Sequence, residues 1–150
     1  MEAVIRRGDG INDGILENAP EAEVVARQNA SNTDLGMKVT ESVLLAKPEV
    51  NVICACDDFT AIGAYEAVSA MQKIPDNFYI GGCDATDEGK EKMKVENSVY
   101  RSSCNLFPYE AGEDLAEAMY KYLTEKQEDA VVQRRYEPVW QKLAIMKCEE

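Results

Sequence analysis

An apolar run, VNVICAC (50–56), passes through two aspartates straight into a helical pattern, DFTAIGAYEAVSAMQK (58–73). That junction constrains the fold more than any other stretch. A short run rich in Val and Ile, without polar alternation, has the pattern of a strand buried on both faces of a parallel sheet. The residues after it place Ala61, Ala64, Tyr65, Val68 and Met71 on one stripe at helical period, with Pro75 as the stop. A strand feeding a helix is half of a βαβ unit. Asp57 and Asp58 stand at the carboxyl end of that strand, where the ligand sites of open α/β sheets lie.

The pattern recurs along the chain. EAEVVARQ (21–28) predicts a strand, and TDLGMKVTESVLLAK (33–47) a helix with Leu35, Val39, Val43 and Ala46 on one face. NFYIGGCD (77–84) and SVYRSSC (98–104) predict further strands, and DEGKEKMKV (87–95) a further helix. YEAGEDLAEAMYKYLTE (109–125) predicts a long helix that aligns Ala111, Leu115, Ala118, Met119 and Tyr122. AVVQRRY (130–136) and QKLAIMK (141–147) read as two more strands. Strands separated by helices imply an α/β fold around a parallel sheet. The opening, IRRGDGINDGIL, holds Gly8, Gly10 and Gly14, each costing a helix about 1 kcal/mol, so a helix there needs tertiary support. No strand precedes it, and the domain is expected to be incomplete.

Composition narrows the function. The 150 residues suffice for one domain with a core. The formal charge is −12, from 28 acidic and 16 basic side chains, which repels phosphate backbones and anionic membranes and disfavours nucleic-acid binding. There is no histidine, so Ser-His-Asp and Cys-His catalysis within this chain are excluded. Cys54, Cys56, Cys83, Cys104 and Cys148 include no C-x-x-C pair and are odd in number. They read as reduced thiols, the first four buried in strand-like contexts. Asp84, Asp87, Glu88 and Glu91 lack the spacing and central glycine of a calcium loop and read as a solvated helix start. No cofactor or metal is implied. MEAVIRRGDG has no apolar core of a secretory signal, and no run reaches membrane-spanning length.

Four stretches carry a resemblance to a known family. RRGDGI (6–11) resembles an Arg-x-x-Gly-aromatic helix start, and PEVNVICACDDFTAIGAYEAV (48–68) a block centred on an Asn-Asp pair before a small-residue helix. YIGGCDAT (79–86) resembles a strand ending in Gly-x-Asp-Gly-Thr. SVYRSSCNLFPYEAG (98–112) resembles a strand leading to a Pro-Tyr-Glu-x-Gly hinge. Their order and spacing resemble the C-terminal lobe of type 1 periplasmic sugar-binding proteins, the ribose/galactose-binding family that serves ABC transporters and chemoreceptors. The resemblance runs from about Val4 to Lys142. It implies one lobe of a parallel-sheet αβ sandwich, lacking its N-terminal lobe and one interior strand. Residues 105–136 correspond to the hinge crossing and to a helix that packs on the absent lobe.

The resemblance also implies a ligand set. Asp57, usually Asn in the family, accepts from sugar hydroxyls; the alternative is an N-cap for the following helix. Asp84 accepts from the ligand at the end of the next strand, or else merely forms a turn. Arg7 donates its planar fork to sugar oxygens, with Arg6 the competing position and a solvated surface arginine the alternative. A glutamine expected two residues before the hinge proline is replaced by Leu106, and Asn105 can restore the amide with one residue of slippage. Ser31 stands where the family often has a stacking aromatic. Asp58 supports the helix start, where the dipole favours negative charge.

The expected function is therefore non-enzymatic binding of a small sugar-like ligand, as a partial lobe of a protein that works with an ABC permease or chemoreceptor. The parent family is periplasmic or on the extracellular surface. The exposed stripe of helix 109–125 makes self-association an expectation. The competing readings are the effector or sensor domain of a LacI-type regulator or sensory protein and, more remotely, an α/β enzyme using Asp57 and Asp84 as acid and base.

Overall fold

The computed structural model describes residues 2–125. Eight elements alternate as the patterning requires: α1 (Glu2–Asn18), α2 (Thr33–Ala46), β1 (Val52–Cys54), α3 (Asp58–Ser69), β2 (Tyr79–Cys83), α4 (Asp87–Lys94), β3 (Tyr100–Cys104) and α5 (Pro108–Glu125). The three strands form one sheet in the order β1-β2-β3, and both pairings are parallel. Cys54 lies opposite Gly81 and Cys83 opposite Cys104, so the carboxyl ends of all three strands reach the same edge.

The core lies between α3 and the sheet. Ala61, Ala64 and Val68 of α3 pack with Phe78, Ile80, Val99 and Tyr100, all nearly inaccessible to water. The larger of these, Val68, Phe78, Ile80 and Val99, stabilise by about 2 kcal/mol each when fully buried. α2 lies across the outer face of α3 at backbone contact. A Cβ on Gly63 would stand 2.1 Å from the Thr33 carbonyl oxygen, so only glycine allows the approach. α2 is capped by Asn32, whose Oδ1 accepts from the Leu35 N–H at 2.9 Å. Lys92 of α4 pairs with Glu66 of α3 and ties the two helices together.

Several sequence expectations need correction. EAEVVARQ (21–28) is not a strand: residues 22–31 join no ladder, and Val24 is exposed. A strand persists only where a neighbour pairs its N–H and C=O groups, and no described strand lies on that side of β1. The same vacancy makes β1 an edge strand rather than a doubly buried one. It is three residues long, and Val52 is 50% exposed. Of the thiols expected to be buried, only Cys83 is; Cys54 is exposed and Cys56 and Cys104 are half-buried. The helix expected over 58–73 stops at Ser69, four residues sooner, with Ala70 as C-cap, before Pro75 can act. α1 forms despite its glycines but buries no residue. α5 also buries none: Leu115, Met119 and Tyr122 are more than half exposed. The expected strands 130–136 and 141–147, and Cys148, lie outside the described residues.

Candidate functional site

Parallel pairing brings the residues that follow each strand to one rim. Cys56 and Asp57 follow β1, Asp84 follows β2 and Asn105 follows β3. Arg7 enters from α1. Its Nη1 donates to the Cys56 carbonyl at 2.9 Å and to Asp84 Oδ1 at 3.3 Å. Both partners of this ion pair are about one-third exposed, so the pair faces a wet rim, not the core. Arg27 and Asp9 form a second, more exposed pair at 2.8 Å.

Asp57 is the N-cap of α3, with extended backbone, and its Oδ1 accepts from the Thr60 N–H at 2.7 Å. Capping and rim position therefore coincide, and Oδ2 is left for another donor. Asp84 has φ 100° and Ala85 φ 51°, left-handed values that a non-glycine residue holds only under constraint. The Asp84 N–H is still in the ladder, donating to the Cys104 carbonyl at 2.7 Å. Burial pushes the Asp84 carboxyl above its ordinary range. Arg7 opposes that shift and the charges of Asp58 and Asp57 add to it. Burial and the Asp57 charge likewise raise the Cys56 thiol, against Arg7 and Arg27.

Asn105 lies on the same rim without a hydrogen bond to Arg7, Asp57 or Asp84. Its Oδ1 accepts from the Phe107 N–H at 2.9 Å, across a turn in which Phe107 has φ 50° immediately before Pro108. The structure thus brings Arg7 and Asp84 into contact with Asp57 beside them, and holds Asn105 apart in the turn before α5. Arg6 pairs instead with Glu2 on the outer side of α1.

Asp58 is more than the helix-start residue that its position suggested. It is fully buried. Its Oδ2 accepts from the Thr86 N–H at 2.6 Å and from Thr86 Oγ1 at 2.8 Å. Its Oδ1 accepts from the Tyr100 hydroxyl at 2.7 Å and from Ser103 Oγ at 2.5 Å. A buried carboxylate is tolerated when hydrogen bonds replace its water in this way. Gly82 makes the room, since a Cβ there would stand 2.6 Å from Oδ1. Burial, and then the bond to Asp58, push the Tyr100 phenol well above its usual range. These partners are 28, 42 and 45 residues away in sequence, beyond any local pattern.

Chemically, the rim offers one guanidinium and two carboxylates, an arrangement that suits a neutral ligand with several hydroxyls. Among the described residues no group of three or more His, Cys, Asp or Glu is placed to hold a metal ion, and no helix is long and apolar enough to cross a membrane.

The family described as periplasmic binding protein domain matches residues 2–127. The ribose import binding protein of Haemophilus influenzae is 37% identical over 93 residues, which cover 61% of this chain and 30% of that protein. A periplasmic solute-binding protein of an ABC transporter from Actinobacillus succinogenes, solved with D-allose, superimposes with a TM-score of 0.73 at 24% identity, covering 83% of this chain and 43% of that one. The 5-methylthioribose transporter solute-binding protein of Thermotoga lettingae gives a TM-score of 0.67 at 26% identity, covering 80% and 38%. The chain thus spans about a third of the length of the curated relatives it matches and about two-fifths of the solved chains.

Proposed function

The chain belongs to the periplasmic binding protein domain family, and from that premise we propose that it supplies one lobe's share of a sugar-binding site in a two-lobed solute-binding protein. The ligand class is a small sugar or related polyol. The whole protein serves an ABC permease or a chemoreceptor from the periplasm or the outer surface, and it binds without catalysing a reaction. The observation that carries this reading is the Arg7–Asp84 pair at 3.3 Å on the rim where the carboxyl ends of the parallel strands meet. Asp57 Oδ2 and the unshared oxygen of Asp84 accept from ligand hydroxyls, charge-assisted bonds about twice as strong as neutral ones. Arg7 donates to ring or hydroxyl oxygens, and Asn105 adds an amide from the hinge turn. In this reading the turn at 105–107 belongs to the hinge crossing and α5 (Pro108–Glu125) is the helix that meets the other lobe; 126–136, the rest of the expected segment, lie outside the described residues. Closure of two lobes around the ligand is the hinge motion such a protein uses to signal loading.

A single lobe leaves much of a ligand's surface in water, so the isolated chain should bind in the millimolar range, about −4 kcal/mol. Calorimetry with ribose, allose and 5-methylthioribose tests this, first on the chain alone and then with the N-terminal lobe of the Haemophilus influenzae relative supplied. The expected result is weak or undetectable heat alone and tighter binding with the lobe, lost in Asp84→Ala. Micromolar binding by the chain alone would contradict the half-site reading. No sugar binding in either arm would contradict the ligand class.

A further inference from the structure

We propose that Asp58, which cannot reach the rim itself, is the positioning residue that holds Asp84 against Arg7. The link is the turn between β2 and α4. Asp84 and Ala85 both have positive φ, at 100° and 51°, and two consecutive non-glycine residues keep such a conformation only when their surroundings fix it. What fixes it is on either side. The Ala85 N–H donates to Ser103 Oγ at 2.9 Å, and the Thr86 N–H donates to Asp58 Oδ2 at 2.6 Å. Ser103 Oγ in turn donates to Asp58 Oδ1 at 2.5 Å. One buried carboxylate therefore anchors the backbone just past Asp84 twice, once directly and once through Ser103. The remaining bonds of Asp58, from Thr86 Oγ1 and the Tyr100 hydroxyl, fix the carboxylate itself. The Asp84 N–H stays tied to the Cys104 carbonyl at 2.7 Å, but release of the anchor frees the backbone on its other side, and the Asp84 carboxylate swings away from Arg7.

The use of this device rests on the proposed sugar-binding reading, but its test contains no ligand. Failure of the test counts against Asp58 alone, and failure of sugar binding against the function alone. The titration of the Asp84 carboxyl is followed by carbon-detected NMR in the full chain, in wild type and Asp58→Asn, each with and without Arg7→Gln. The groups facing Asp84 are Arg7, Asp57, Asp58 and Cys83. In the wild-type background, removing the guanidinium should raise the proton affinity of Asp84 about fivefold, as for an ion pair that stays partly open to water. In Asp58→Asn the same change should have less than half that effect. Exchange of the Ala85 and Thr86 amides should also rise about tenfold there, as expected when charge-assisted bonds are lost. Val68→Ala is the control, because it weakens the core and should leave the Arg7–Asp84 coupling intact. Equal coupling with and without Asp58 overturns the proposal, as does loss of coupling in Val68→Ala. If Asp58→Asn does not fold, Ser103→Ala takes its place and decides in the same way: coupling must fall and Ala85 exchange must rise, and no change in either overturns the proposal.

Discussion

Gly63→Ala should be far more damaging than a single methyl group suggests. The new Cβ would stand 2.1 Å from the Thr33 carbonyl oxygen and 2.7 Å from the Met37 nitrogen, both backbone atoms of α2. Ordinary contact begins at 3.4 Å, so the two helices must part by about 1.3 Å at their crossing. No side chain can rotate away to absorb that. Overpacking of this kind costs roughly 1–3 kcal/mol, and rigid backbone neighbours place this case at the upper end. Alanine recovers about 1 kcal/mol of helix propensity, leaving a net loss of about 2 kcal/mol. With a urea slope of about 2 kcal/mol per molar, the unfolding midpoint should fall by about 1 M. Gly14→Ala is the matched comparison, because a Cβ there meets nothing within 4 Å. Propensity then acts unopposed, and α1 should gain protection from amide exchange with no fall in midpoint. The reasoning is refuted if Gly63→Ala unfolds within about 0.2 M of wild type, or if the two substitutions lower the midpoint alike.

The rim, α5 and the core each carry a further expected outcome. The folded state raises the Asp84 carboxyl, through burial chiefly and the Asp58 and Asp57 charges in addition. Its stabilising contribution is therefore complete below the ordinary carboxylate value of about 4 and is lost as pH rises through the folded value. Urea midpoints from about pH 3.5 to 6 should decline less in Asp84→Asn than in wild type, and a steeper decline contradicts the assignment. Leu115 and Met119 on α5 are 65% and 52% exposed, so Leu115→Ser with Met119→Ser should change the stability of the isolated chain by less than about 0.5 kcal/mol. Val68→Ala, at a fully buried position, should cost roughly 2 kcal/mol by the same denaturation assay.

The sequence by itself determined the elements whose signals are local. The apolar run before Asp57, the stripe of Ala61, Ala64 and Val68, and the capping aspartate all act within a few residues. β1 and α3 fall within the stretches those patterns marked, each shorter than expected, and the turn at Asp57 lies where they put it. Parallel pairing followed from the alternation of strand and helix, and with it the meeting of Asp57, Asp84 and Asn105 at one edge. Tertiary structure decided whatever depends on a neighbour distant in sequence. EAEVVARQ has strand composition but no partner strand, so it stays unpaired and β1 becomes an edge. Asp57 and Asp58 are chemically identical and adjacent, yet one reaches the rim and the other is buried under Thr86, Tyr100 and Ser103. The helical turn that begins at Asp57 points successive side chains in different directions, and what the buried one meets is set by the cap of α4 and by β3, 28 to 45 residues further along the chain.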